Sequence, residues 1–143
     1  MTLAETLLAL AILAQVFWTV FVMVRAGRAR LRSVREGTAP KDGLIYPYGW
    51  PTDVQQVSNN MNNQFETPTI FYALGLLAFA VKHVSLAFAL VAWLYVLTRI
   101  VHTHVHTGTN DLRHRFPVFL AGVGVLMVMA AMLAASILLG RLA

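Results

Sequence analysis

Two long runs nearly free of charge frame the chain. Leu3–Val24 holds one charged residue, Glu5, in its first turn, and Phe116–Gly140 holds none. At a helical rise of about 1.5 Å per residue, each can cross a hydrocarbon core of roughly 30 Å. Between them lie two shorter apolar stretches, Thr67–Val81 and Val84–Thr98, separated by Lys82-His83. The pattern predicts a helical hairpin with its turn at Lys82-His83 in water. Its arms extend past the apolar parts, back to Asn59 and on to Thr107. The expected spans are 3–25, 59–81, 84–107 and 116–140, in one domain covering 1–143 with no internal repeat. Gly122 and Gly124 in the last span allow close helix contact. The expected class is all-α: an integral membrane four-helix bundle.

Composition supports this reading. The chain is 58% hydrophobic and 12% charged, against about 45–50% and about 25% for soluble domains. It has no cysteine, which excludes a disulfide framework, a cysteine-based zinc site and a cysteine nucleophile. The net charge of +5 is concentrated beside the apolar runs. Arg25, Arg28, Arg30, Arg32, Arg35 and Lys41 follow the first span, and Arg113 and Arg115 precede the last. The other side has only Lys82 and Arg141. Such clustering speaks for membrane orientation and not for nucleic-acid binding. Both long loops are then expected in the cytoplasm and both termini on the non-cytoplasmic side. Within Ala39–Pro51, proline and glycine disfavour a long helix, and Tyr46, Tyr48 and Trp50 suit a loop at the membrane interface.

The hairpin arms carry polar residues at positions that are expensive in a membrane and must face an interior or a wet cavity. Residues three and four apart share a helical face. On a continuous helix, Asn59, Asn63, Glu66 and Ile70 form one stripe; Tyr95, Arg99, His102, His106 and Asn110 form another. Antiparallel arms bring the two stripes together. Glu66 and Arg99 each lie about 16 residues from the turn, roughly 24 Å of helix. They can form an ion pair that only fixes register, or share a polar ligand with Asn63 and the histidines. His102 and His106 share a face and His104 does not. A metal would need a third ligand such as Glu66, and no HExxH pattern is present; no metal site is assigned. One of Asn59, Asn60, Asn62 and Asn63 also suits a helix N-cap.

These residues resemble the MAPEG family, the membrane-associated proteins of eicosanoid and glutathione metabolism. The likeness rests on four spans, on Asn63-Gln-Phe-Glu66-Thr-Pro68 and on Arg99-Ile-Val-His102-Thr-His-Val-His106. Asn110-Asp-Leu-Arg113-His-Arg115 completes it. It covers nearly the whole chain and is closest to the bacterial branch. The resemblance implies a homotrimer in the lipid bilayer of a bacterial inner membrane, with the active end facing the cytoplasm. It also implies glutathione as thiol cosubstrate, bound between adjacent subunits, and a lipophilic second substrate. Asn63 and Glu66 fall where the family contacts the glutathione backbone and amine. Arg99 falls on the family's third-helix Arg, and His102 and His106 where members often carry His or Tyr. Arg113 has the spacing of the Arg that holds the thiolate, with Arg115 as the alternative. Arg28 or Arg30 matches a first-helix Arg that binds a glutathione carboxylate. Asn59 stands where characterised members place an Arg.

The implied chemistry is consistent with the residues. The thiolate is the nucleophile, and a free thiol titrates near ~8.5. A guanidinium beside the sulfur favours the charged form without itself taking the proton. The expected activity is therefore a glutathione-dependent transferase or peroxidase acting on lipophilic electrophiles or hydroperoxides. The alternative is a non-catalytic membrane module that keeps the fold and binds lipid, a metal or a partner complex.

Overall fold

The computed structural model describes residues 1–42 and 47–140; Tyr46 and Arg141, named above, lie outside the described residues. Regular structure among them is helical throughout: α1 Leu3–Arg35, α2 Thr52–Asn62, α3 Thr67–Ala80, α4 Leu86–Thr107 and α5 Leu112–Gly140. Three of these, α1, α4 and α5, are long and apolar enough to cross a membrane.

Local chemistry sets the ends. Thr2 and Glu5 form a reciprocal capping box at the start of α1. Ser85 Oγ accepts from the Phe88 N–H at 3.1 Å and caps α4. Between α3 and α4, Lys82 takes a left-handed backbone with φ 58°. The next N–H, of His83, closes onto the Ala78 carbonyl at 3.0 Å. The expected turn at Lys82-His83 is therefore present. α1, with 33 residues, spans about 50 Å and outruns the hydrocarbon core; its excess is the Arg25–Arg35 stretch.

The second arm is not the continuous helix expected from Asn59. It breaks over residues 63–66, between α2 and α3. Pro68 explains the break. In a continuous helix its ring would collide with the Gln64 carbonyl and supply no N–H to it. Placed in the first turn of α3, the proline is tolerated.

Three contacts set α1 and α4 parallel. Trp93 Nε1 donates to Leu7 O at 3.1 Å, Trp18 Nε1 to Thr103 Oγ1 at 3.3 Å, and Arg25 Nη1 to Thr107 Oγ1 at 3.4 Å. α3 and α5 run antiparallel to α4. Tyr95 OH donates to Thr67 Oγ1 at 3.1 Å, and its ring stacks on Phe71 at 4.7 Å. At Gly122, an added Cβ would lie 3.1 Å from Thr98 Oγ1, so glycine permits the α4–α5 approach. The core comprises Leu8, Phe71, Phe88, Tyr95, Met129, Leu133 and their neighbours. The outer faces expose Phe17, Leu76, Leu97 and Met127. This distribution fits a bundle immersed in lipid, where outward apolar side chains lose nothing to water.

Candidate functional site

The polar end of the bundle gathers the end of α1, the α2–α3 break, the end of α4 and the start of α5. Arg99 lies at its centre and is 1% exposed. The break frees the Asn63 carbonyl from a helical partner, and Arg99 Nη2 donates to it at 3.0 Å. A broken helix at membrane depth is tolerable when a side chain takes over a freed backbone group in this way. Asn63 Nδ2 lies 3.3 Å from His106 Nδ1. His106 meets His102 edge-on at 5.4 Å between ring centroids, and His102 lies 5.9 Å from the Phe119 ring. Asn63, Arg99, His102 and His106 thus form one cluster. Arg99 Nε and His102 Nδ1 are buried in it with no hydrogen-bond partner among the described residues.

Glu66 does not join this cluster. The break turns it outward, so it is exposed and makes no ion pair among the described residues. The Glu66–Arg99 ion pair, one of the two arrangements open to a continuous helix, is not formed. Arg99 spends its donor on a backbone carbonyl instead. Among the described residues no three His, Asp or Glu side chains come together as a metal-ligand set. Asn110 and His104 are also exposed, and His104 Nδ1 lies 2.9 Å from the Ile100 carbonyl.

The remaining candidates lie around the cluster. Asn59 is exposed and its Oδ1 accepts from Gln55 Nε2 at 2.9 Å. Arg30 is half-buried, donates to Ser58 Oγ at 3.0 Å and sits 5.5 Å over the Trp50 ring. Arg28 points elsewhere, into a cleft of about 400 Å³ that it lines with Arg25, Arg32, Asp53, Gln56 and Thr107. Arg32 is already paired with Asp53 across α1 and α2. Both partners are exposed, so the pair itself adds little stability. Arg115 is half-buried and its Nη1 donates to Asn110 Oδ1 at 2.7 Å. Arg113 is exposed and lines a separate, largely apolar cleft with Leu112, Phe116 and Pro117. Within one chain, therefore, Arg113 stands outside the Asn63–Arg99–His106 cluster.

Sequence reasoning missed three neutral polar residues behind the cluster, Gln15, Gln64 and Thr103. With Asn60, named above as a helix-cap candidate, they are all fully or almost fully buried. Gln56 Nε2 donates to the His106 and Gly108 carbonyls at 2.6 and 3.1 Å and so closes the end of α4. The available signal was Gln15, a lone amide midway along an otherwise apolar span. In lipid such a group needs a partner on a neighbouring helix.

The fold and cluster define a small helical membrane protein with an arginine- and histidine-lined polar site at one end. The chain belongs to the MAPEG family, whose model matches residues 8–135. Searches of curated proteins and of solved structures return no match to it. The family is associated in general with glutathione-dependent transferases and peroxidases.

Proposed function

We propose that this protein is a glutathione-dependent membrane transferase or peroxidase acting on lipophilic electrophiles or hydroperoxides. One observation carries the reading: a buried arginine, an asparagine and two histidines meet at the polar end of a bundle in a MAPEG chain. Asn63, Arg99, His102 and His106 form the floor of the glutathione site in this proposal. Glu66, exposed beside them, receives the glutathione amine. Arg28 or Arg30 receives a carboxylate, a match suited to guanidinium forks. Asn59 adds a neutral contact at the rim.

Arg113 is the thiolate partner, with Arg115 as the alternative. The guanidinium lowers the thiol pKa by holding the charged form. The thiolate then attacks the electrophilic carbon and expels its leaving group. With a hydroperoxide, it attacks the terminal oxygen and a second glutathione completes the disulfide, yielding alcohol and water. The separation of Arg113 from the Asn63 cluster within one chain supports a site shared between subunits, as in the proposed homotrimer. The apolar cleft beside Arg113 supports entry of the second substrate from lipid. The active end faces the cytoplasm of a bacterial inner membrane.

The test is thiol conjugation to a generic lipophilic aryl halide in proteoliposomes. Turnover that requires glutathione and disappears in Arg113→Ala supports the proposal; turnover retained in that variant removes Arg113 from the thiolate role. No turnover with any electrophile or hydroperoxide favours a non-catalytic membrane module, the reading to which the neutral Asn59 lends support.

A further inference from the structure

We propose that Gln64 is a positioning residue for this site: its side chain pins the broken segment 63–66 to α1 and α4, and so sets Asn63 against Arg99 and His106. The proposal rests on the reading that the site takes glutathione, but its geometry can be tested apart from that reading.

The segment 63–66 has no helical ladder of its own. Its backbone is held by turn bonds, Gln64 N–H to Met61 O and Phe65 N–H to Asn62 O, both 2.9 Å. Something beyond the backbone must choose which of its side chains faces inward. Gln64 is 1% exposed, whereas its neighbours Phe65 and Glu66 are exposed. Its Nε2 lies 3.4 Å from both the Asn60 carbonyl and Thr103 Oγ1. Its Oε1 accepts from Gln15 Nε2 at 3.4 Å. One amide therefore reaches α1, α2 and α4.

The partners are themselves held. Gln15 Nε2 also lies 3.4 Å from Thr19 Oγ1, which is 3.5 Å from Tyr72 OH. Trp18 Nε1 donates to Thr103 Oγ1 at 3.3 Å. Each bond is long, but the Asn60 carbonyl needs a donor and Gln15 Nε2 an acceptor, so together they favour one orientation of the amide. Burial alone would not give that direction, because an apolar side chain at 64 satisfies the core in several rotations.

The consequence follows from chain adjacency. Asn63 precedes Gln64, and its carbonyl holds Arg99 while its amide touches His106. A backbone rotation of the broken segment that withdraws Gln64 from Gln15 and Thr103 carries the Asn63 carbonyl, in the adjoining peptide unit, away from Arg99. Gln64 touches none of the groups assigned to glutathione. It acts through Asn63.

The test compares wild type with Gln64→Leu, Gln15→Leu and the double variant as detergent-purified full-length proteins. Three quantities are read: thermal unfolding midpoint, glutathione affinity by calorimetry, and the His106 ring nitrogen resonances. The expected result is about tenfold weaker glutathione binding in Gln64→Leu, the size of effect produced by leaving a buried polar group unpaired. A shifted His106 resonance should accompany it. The double variant should recover part of the lost thermal stability, since the Gln15–Gln64 pair is then apolar on both sides while the Asn60 carbonyl and Thr103 still lack the Gln64 amide, without recovering affinity. A Gln64→Leu protein with wild-type affinity and unchanged His106 resonances overturns the proposal, as does a double variant that regains affinity together with stability. If wild type itself binds no glutathione, the ligand reading fails. The His106 resonances then decide alone: movement upholds the positioning role and no movement overturns it. Where Gln64→Leu does not fold, Gln64→Met is read by the same criteria.

Discussion

Arg99 and Asn63 are joined by a bond from a buried guanidinium to a main-chain carbonyl, 3.0 Å long. The carbonyl is free because Pro68 interrupts the helix; the guanidinium is available because Glu66 points outward. At the break after α2, Arg99 thus serves as a side-chain cap on a broken helix. Replacing Arg99 with Met removes that cap and leaves a buried carbonyl unpaired, at a cost of ~1–3 kcal/mol. Thermal unfolding in detergent should show the loss, and glutathione binding should fall with it. An Arg99→Met protein as stable as wild type would mean that the bond contributes nothing to the break.

Pro68→Ala tests the cause of the break. Alanine restores an N–H for the Gln64 carbonyl and removes the ring clash, worth about 3 kcal/mol in a helix interior. The expected protein is at least as helical by circular dichroism and binds glutathione more weakly, because Asn63 no longer offers its carbonyl to Arg99. Unchanged affinity would separate the break from the site.

Asn59 offers a gain-of-function test. It is exposed and, among the described residues, its side chain bonds only to Gln55, so a longer side chain there meets no packing barrier. Asn59→Arg supplies the cation that the resemblance described above implies at this position. A charge-assisted hydrogen bond contributes about 1.5–3 kcal/mol; competition with water at an exposed site reduces this, and about tenfold tighter glutathione binding is the expected outcome of titration. Weaker or equal binding would place the tripeptide elsewhere.

The topology can be read directly because the chain has no native cysteine. α1 and α4 run parallel, with Arg25 beside Thr107 at one end and Trp93 beside Leu7 at the other. Single cysteines at Arg35 and at Lys82 should therefore label from opposite faces of sealed vesicles. The Arg35→Cys protein should react from the cytoplasmic face, following the excess of arginine there. Labelling of both from one face would refute the four-span reading.

Much of this arrangement was legible in the residues. The two long apolar runs lie in α1 and α5, the Lys82-His83 turn lies where charge interrupts hydrophobicity, and the three- and four-residue spacing of Arg99, His102 and His106 does put them on one buried face. What failed was the assumption of a single helix from Asn59. Periodicity treats each residue as a step of equal angle and ignores the steric reach of Pro68 onto the residue four before it. Periodicity alone therefore sets Glu66 facing Arg99. The Gln15–Gln64–Thr103 contacts were hidden for a different reason: polar side chains separated by 49 and 39 residues leave no local pattern, and only packing reveals the pairing. Arg113 marks a further limit: it is exposed and lines a cleft of its own, and the shared site proposed for it would leave no pattern within a single chain.

The account stands or falls on its ligand, so the most direct measurement is calorimetric titration of glutathione into detergent-purified protein, with Arg113→Ala and Glu66→Gln alongside. The account predicts saturable binding to wild type, weakened by both substitutions, with the assembly state unchanged. Absence of binding up to millimolar glutathione, in a protein that remains folded and assembled, would contradict it.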